Sequence, residues 1–204
     1  ITADTITNDA VLSIIAPSMI IASADSNFAD SIKIGSGGTG TLSNALKNIA
    51  IGNGTINAIT SGDNNVCIGH NAGTAITTAL SNICIGTNAG VSISTGDTDT
   101  TATGTIYSGW NICIGESAGA LITTSTSNVL MGFSSGSHIA AQRYGYNVAI
   151  GNFALRGVAG VDNHNSKGQF NTAVGAGALN VGTDAQTGDI SNNVAIGTSC
   201  MEGS

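Results

Sequence analysis

A five-residue phrase, Asn65-Val66-Cys67-Ile68-Gly69, recurs eight more times along the chain, and its spacing limits the fold more than any other feature. With the glycine as position zero, the copies end at Gly35, Gly52, Gly69, Gly86, Gly115, Gly132, Gly151, Gly175 and Gly197. The steps from each glycine to the next are 17, 17, 17, 29, 17, 19, 24 and 22, a base period of 17 carrying insertions of 12, 2, 7 and 5. A fixed period of this kind marks stacked units, each too small to bury its own apolar face. The count predicts an all-β fold: a parallel β-roll or β-helix solenoid of nine roughly 17-residue rungs over residues 31–204. Residues 1–30, with apolar pieces on either side of Pro17, read as lead-in or capping strands.

Each position of the phrase has a physical task. Asn stands at −4 in eight copies (Asn48, Asn65, Asn82, Asn111, Asn128, Asn147, Asn171 and Asn193), where its amide can bond the Asn of the rung above and below as a ladder. Gly at zero (Gly69, Gly86, Gly115 and Gly151 among them) fits a corner that needs positive φ or a close backbone approach. Aliphatic side chains at −3 and −1, such as Val66 and Ile68, alternate with a small one at −2, the pattern of a short strand with one packed face. The expectation is that Ile68 and its counterparts are buried and the small side chain lies opposite. Ala at +3 and an aliphatic at +7 suggest a second short strand per rung. At about 1.5–3 kcal/mol per buried aliphatic, three of them cannot offset the ordering of a whole rung, so stacking is obligatory.

The four Cys form no C-x-x-C pair and have no zinc spacing. Cys67, Cys84 and Cys113 share position −2 with Ala50, Ala149, Ala173 and Ala195, which favours a small buried apolar role; rung spacing of about 4.8 Å also places a disulfide along the ladder within reach. No cofactor or metal is expected. Asp97-Thr98-Asp99 lacks the rest of a calcium loop, and the three His occupy unrelated positions. Gly115-Glu116-Ser117-Ala118-Gly119 and Gly132-Phe133-Ser134-Ser135-Gly136 match a hydrolase nucleophile elbow, yet in repeat register their serines only replace the corner Asn71 and Asn88. The chain therefore reads as a non-enzyme.

Net charge is −7 with only five Lys and Arg, which argues against a nucleic-acid partner. The longest apolar run, 11–22, is too short to cross a bilayer, so no membrane insertion is expected. The insertions fall at about 95–110, 139–146, 156–170 and 180–191, and seven of the eight aromatic residues lie after residue 100. Loops on a rigid stack are where binding residues concentrate, and aromatic and Arg side chains suit recognition. The receptor-binding candidates are Tyr107, Trp110, Arg143, Tyr144, Tyr146, Arg156 and His164. Threonine and serine columns at +8 and +9 suggest ice binding as an alternative, and Asp97, Asp99, Asp162 and Glu116 could supply the carboxylates of a polysaccharide-cleaving tailspike.

Asn147-Val148-Ala149-Ile150-Gly151 with Ala154-Leu155, and Asn171-Thr172-Ala173-Val174-Gly175 with Ala178-Leu179, resemble the N-V-A-I-G and N-T-A-V-G-x-x-A-L repeats of bacteriophage tail fibres. They are also similar to the head repeats of bacterial trimeric autotransporter adhesins. The resemblance covers residues 48–200, and the nine in-frame copies along the chain make it more specific than a single motif. It implies a parallel homotrimer joined to adjoining fibre segments, located in the virion. Its implied role is attachment to a host cell-surface polysaccharide or protein, with a bacterial adhesin head at the cell surface as the alternative.

Overall fold

The computed structural model describes residues 30–36, 41–94, 109–139, 145–157, 168–180 and 190–202. Nearly all of the lead-in, most of each insertion, and Tyr107, Arg143, Tyr144 and His164 lie outside the described residues. The rest is a β-solenoid of nine parallel strands: β1 (Ile32–Ile34), β2 (Ile49–Ile51), β3 (Val66–Ile68), β4 (Ile83–Ile85), β5 (Ile112–Ile114), β6 (Val129–Met131), β7 (Val148–Ile150), β8 (Thr172–Val174) and β9 (Val194–Ile196). They form one sheet in chain order, and every strand pairs with the next in unbroken repeat register, across all insertions.

The expected second strand is replaced by turns. The backbone on that side of the coil still bonds from rung to rung, as in Ile56 N–H to Ala72 O and Ala75 N–H to Val91 O, both 3.2 Å. Left-handed backbone at +2 and +4 (Asn71 at φ 55° and Gly73 at φ 58°) breaks the extended run that a strand would need.

The sheet faces the opposite way to the expectation. In every strand from β2 onward the central side chain, at −2, is buried (Ala50, Cys67, Cys84, Cys113, Leu130, Ala149, Ala173 and Ala195), while the aliphatics at −3 and −1 are half-buried or exposed. Ile68 is therefore half-exposed on the outer face. Each coil is so narrow that the sheet side can admit only one side chain, and the aliphatics at +7, Ile59, Ile76, Ile93, Ile122 and Ile139, fill most of the remaining space from across the rung.

Position +4 shares that space with −2, and the two sizes trade off rung by rung. Cys67, Cys84, Cys113 and Leu130 accompany Gly73, Gly90, Gly119 and Gly136, whereas Ala50, Ala149 and Ala173 accompany Ile56, Leu155 and Leu179. A Cβ on any of those four glycines would come within 2.6–2.7 Å of the −2 side chain of the same rung. The cysteines are thus packing residues. All four are free thiols, so the disulfide does not form. Hydrogen bonding to Cys84, then burial, pushes the Cys67 and Cys113 thiols up. The bonds that Cys84 receives from Cys113 and Cys67 pull its own thiol down.

The Asn ladder is present as expected. Each Oδ1 accepts both the backbone N–H and the Nδ2–H of the next Asn, for example Asn82 from Asn111 at 3.2 and 3.1 Å, and the column runs from Asn48 to Asn193. At position zero φ lies between 124° and 133°, and a Cβ on Gly69 would meet the Gly86 carbonyl oxygen at 2.6 Å. Glycine is required there on both counts.

Candidate functional site

Position −5, just before the buried Asn, is left-handed in all nine rungs: Asp30, Lys47, Asn64, Ser81, Trp110, Ser127, Tyr146, Phe170 and Asn192 have φ of 51–63°. Asn and Asp accept this conformation readily, whereas a bulky side chain there costs on the order of 1–3 kcal/mol. Three rungs carry an aromatic residue regardless. The stack holds the backbone in place: Trp110 N–H donates to Leu80 O at 3.1 Å, Ser127 N–H to Gly109 O at 3.0 Å, Tyr146 N–H to Thr126 O at 3.2 Å and Phe170 N–H to Gly145 O at 3.0 Å.

These side chains project from one corner of the coil. Trp110 is 55% exposed, Tyr146 47% and Phe170 51%. The Tyr146 and Phe170 rings stack with centroids 5.2 Å apart and planes within 5°. That separation is close to the rung spacing of about 4.8 Å, so the two rings lie across the stack axis like successive steps. Trp110 lies two rungs below Tyr146 in the same column, with half-buried Ser127 between them.

A second cluster occupies the glycine end of the strands. Phe133 at +1 and Phe153 at +2 meet edge to face, with centroids 5.2 Å apart and planes at 87°. The Arg156 guanidinium sits 4.8 Å over the Phe153 ring, a cation–π contact. Nearby His138 has Nδ1 3.0 Å from Ser137 Oγ. Burial, and then the positive charge of Arg156, hold its imidazole below the usual histidine range.

The structure thus brings two of the expected binding residues, Trp110 and Tyr146, into one column and places Arg156 at the other end of the strands. Both Trp110 and Tyr146 belong to the repeat register, where each insertion rejoins the stack. Phe170, Ser127, Phe133 and Phe153 join these clusters without having been singled out by the sequence. Counting five positions back from each glycine would have found the first two.

Among the described residues, no group of three or more His, Cys, Asp or Glu is placed to hold a metal ion. Nor is any helix there long and apolar enough to cross a membrane. Comparison with protein-family models, with curated proteins and with solved structures returns no match to this chain.

Proposed function

We propose that the chain is a structural and receptor-binding module of a phage tail fibre, acting as a homotrimer that attaches the virion to a host surface. The observation that carries this reading is the outer face of the sheet. Two uninterrupted columns run its length: Ile32, Ile49, Val66, Ile83, Ile112, Val129, Val148, Thr172 and Val194 at −3, and Ile34, Ile51, Ile68, Ile85, Ile114, Met131, Ile150, Val174 and Ile196 at −1. All but Thr172 are apolar. Contiguous exposed apolar surface of this extent marks an association face, and a fibre of identical parallel chains covers it by packing the three sheets together. The exposed aromatic corner then remains for the host, and the reading requires no catalytic step.

Solution mass is the direct test. The expected particle has three times the 20.1 kDa mass of one chain, and a monodisperse single chain would overturn the trimer. For attachment, the fluorescently labelled protein is mixed with a panel of bacterial isolates and read by flow cytometry. Saturable adsorption to some isolates and not others is expected, and adsorption to none would overturn the host-binding role. Release of new reducing ends from the cell polysaccharide would overturn the non-enzyme reading.

A further inference from the structure

We propose that Arg156, Phe153 and Phe133 form a binding site for an acidic sugar residue, whose carboxylate or phosphate meets the Arg156 guanidinium while an apolar face of its ring lies against Phe133. This rests on the host-attachment reading and names a ligand class for it.

This corner of the coil departs from its counterparts in the other rungs. Position +1 is polar in the four rungs before Phe133 (Asn53, His70, Thr87 and Glu116), and position +2 holds Asn71, Asn88, Ser117 and Ser134 before Phe153. Phe153 has φ of 57°, a left-handed backbone that costs a bulky residue about 1–3 kcal/mol. Arg156 stands at +5, where earlier rungs have Thr74, Ala120 and Ser137. Two adjacent rungs thus replace a polar corner with two aromatic rings and a cation, side-chain types that dominate recognition surfaces.

The guanidinium lies 4.8 Å over Phe153, and among the described residues no oxygen takes a hydrogen bond or an ion pair from it. Its planar fork of N–H donors is unspent on a side chain that is only half-buried. Phe133 is 41% exposed and meets Phe153 edge to face at 5.2 Å, so apolar surface stands close to the cation. With Phe153 between them at these distances, one ligand can touch both. It would make a charge-assisted hydrogen bond of about 2.8 Å at one end and carbon contacts of about 3.5–4.0 Å at the other. The rings and the guanidinium already hold one another, which lowers the entropic cost of binding.

Charge selects the anion. His138, held below its usual range by burial and then by Arg156, adds no second charge at neutral pH. Glu116 and Glu202 stand two rungs to either side of Arg156, about 9.6 Å along the stack. Charges farther apart than about 8 Å are largely screened at physiological salt, so neither these acids nor the net charge of −7 cancels the local cation. An anionic group beside a saturated ring satisfies both halves of the corner, whereas a neutral sugar leaves the guanidinium unused.

The assembled protein is titrated calorimetrically at physiological salt with trigalacturonate, with its neutral methyl ester, with glucose 6-phosphate, and with acetate and inorganic phosphate. Saturable binding is expected for trigalacturonate, glucose 6-phosphate or both, which tells carboxylate from phosphate. The ester should bind at least tenfold more weakly than the acid, and the bare anions should not bind. Arg156→Gln should weaken binding at least tenfold, and Phe133→Ala about fivefold. Lys47→Gln removes the same unit of charge from an exposed position on another rung and should change nothing. The Phe133 and Arg156 side chains are at least partly exposed, so each variant should keep its β-sheet circular dichroism, and either one alone tests the site.

No binding of either acidic sugar overturns the site. So does an ester or a bare anion that binds as tightly as the acid, an unchanged titration in Arg156→Gln, or equal loss in Lys47→Gln. Host attachment is judged separately. If Arg156→Gln adsorbs to cells as fully as the unaltered protein, the site falls as the host contact and attachment stands. If acidic sugars bind but no cell does, the site stands and the host reading falls.

Discussion

At the scale of single residues, the Asn column shows how strongly an interior position can be specified. Asn82 is fully buried; its Oδ1 accepts two bonds from Asn111 at 3.2 and 3.1 Å, and its Nδ2 donates to Asn65 at 3.0 Å. Asn82→Ala leaves the backbone N–H and one Nδ2–H of Asn111 without an acceptor in a buried column, while Asn65 Oδ1 keeps the backbone N–H of residue 82 at 3.0 Å. At about 1–3 kcal/mol for each group left unsatisfied, the loss is about 2 kcal/mol or more. Ser31 shows what a shorter polar side chain recovers, since its hydroxyl accepts the Asn48 N–H at 2.9 Å. Asn82→Ser should therefore unfold at a urea midpoint between those of the unaltered protein and Asn82→Ala. Equal midpoints for all three would show that the ladder contributes no stability.

At the scale of the rung, most of the architecture was legible because a solenoid repeats each physical demand at a countable interval. Asn65 and Gly69 have tasks that only their residue types perform, and both could be assigned from the period alone. The direction of the sheet could not. Val66 and Ile68 alternate with Cys67 in a manner that fits either face, and the usual preference puts the larger aliphatics inside. The deciding fact was the width of the coil, fixed by Ile76 at +7 and by the turn at +4, neither of which belongs to the phrase. The exchange of size between −2 and +4 tests that account. Gly90→Leu alone should be strongly destabilising, because its Cβ would lie 2.6 Å from Cys84 Sγ and 2.8 Å from Ile93 Cδ1. Adding Cys84→Ala reproduces the Ala149 and Leu155 pairing of a later rung. It should restore much of the loss, giving a coupling energy within the range of about 0.5–3 kcal/mol seen for touching residues. Additive effects in thermal unfolding would mean that the two positions do not share one space.

At the scale of the whole molecule, inversion of the sheet changes where a mutation should act. Were Ile68 inside the coil, Ile68→Asp would bury an unpaired carboxylate and unfold the rung. Ile68 instead lies half-exposed in the outer −1 column, beside Ile51 and Ile85 in register. The isolated coil should therefore tolerate Asp there, keeping its β-sheet circular dichroism. The trimer should not, because three copies of the charge would meet in one apolar seam and each would have to shed its water without a partner. Sedimentation should show folded single chains of 20.1 kDa in place of a particle three times as heavy. Cys67→Asp, one residue earlier and facing inward, should abolish the fold itself. The contrast between adjacent residues separates assembly from folding: a trimer that survives Ile68→Asp would place the seam on another face, whereas loss of sheet structure in both variants would mean that the coil cannot stand without its partners.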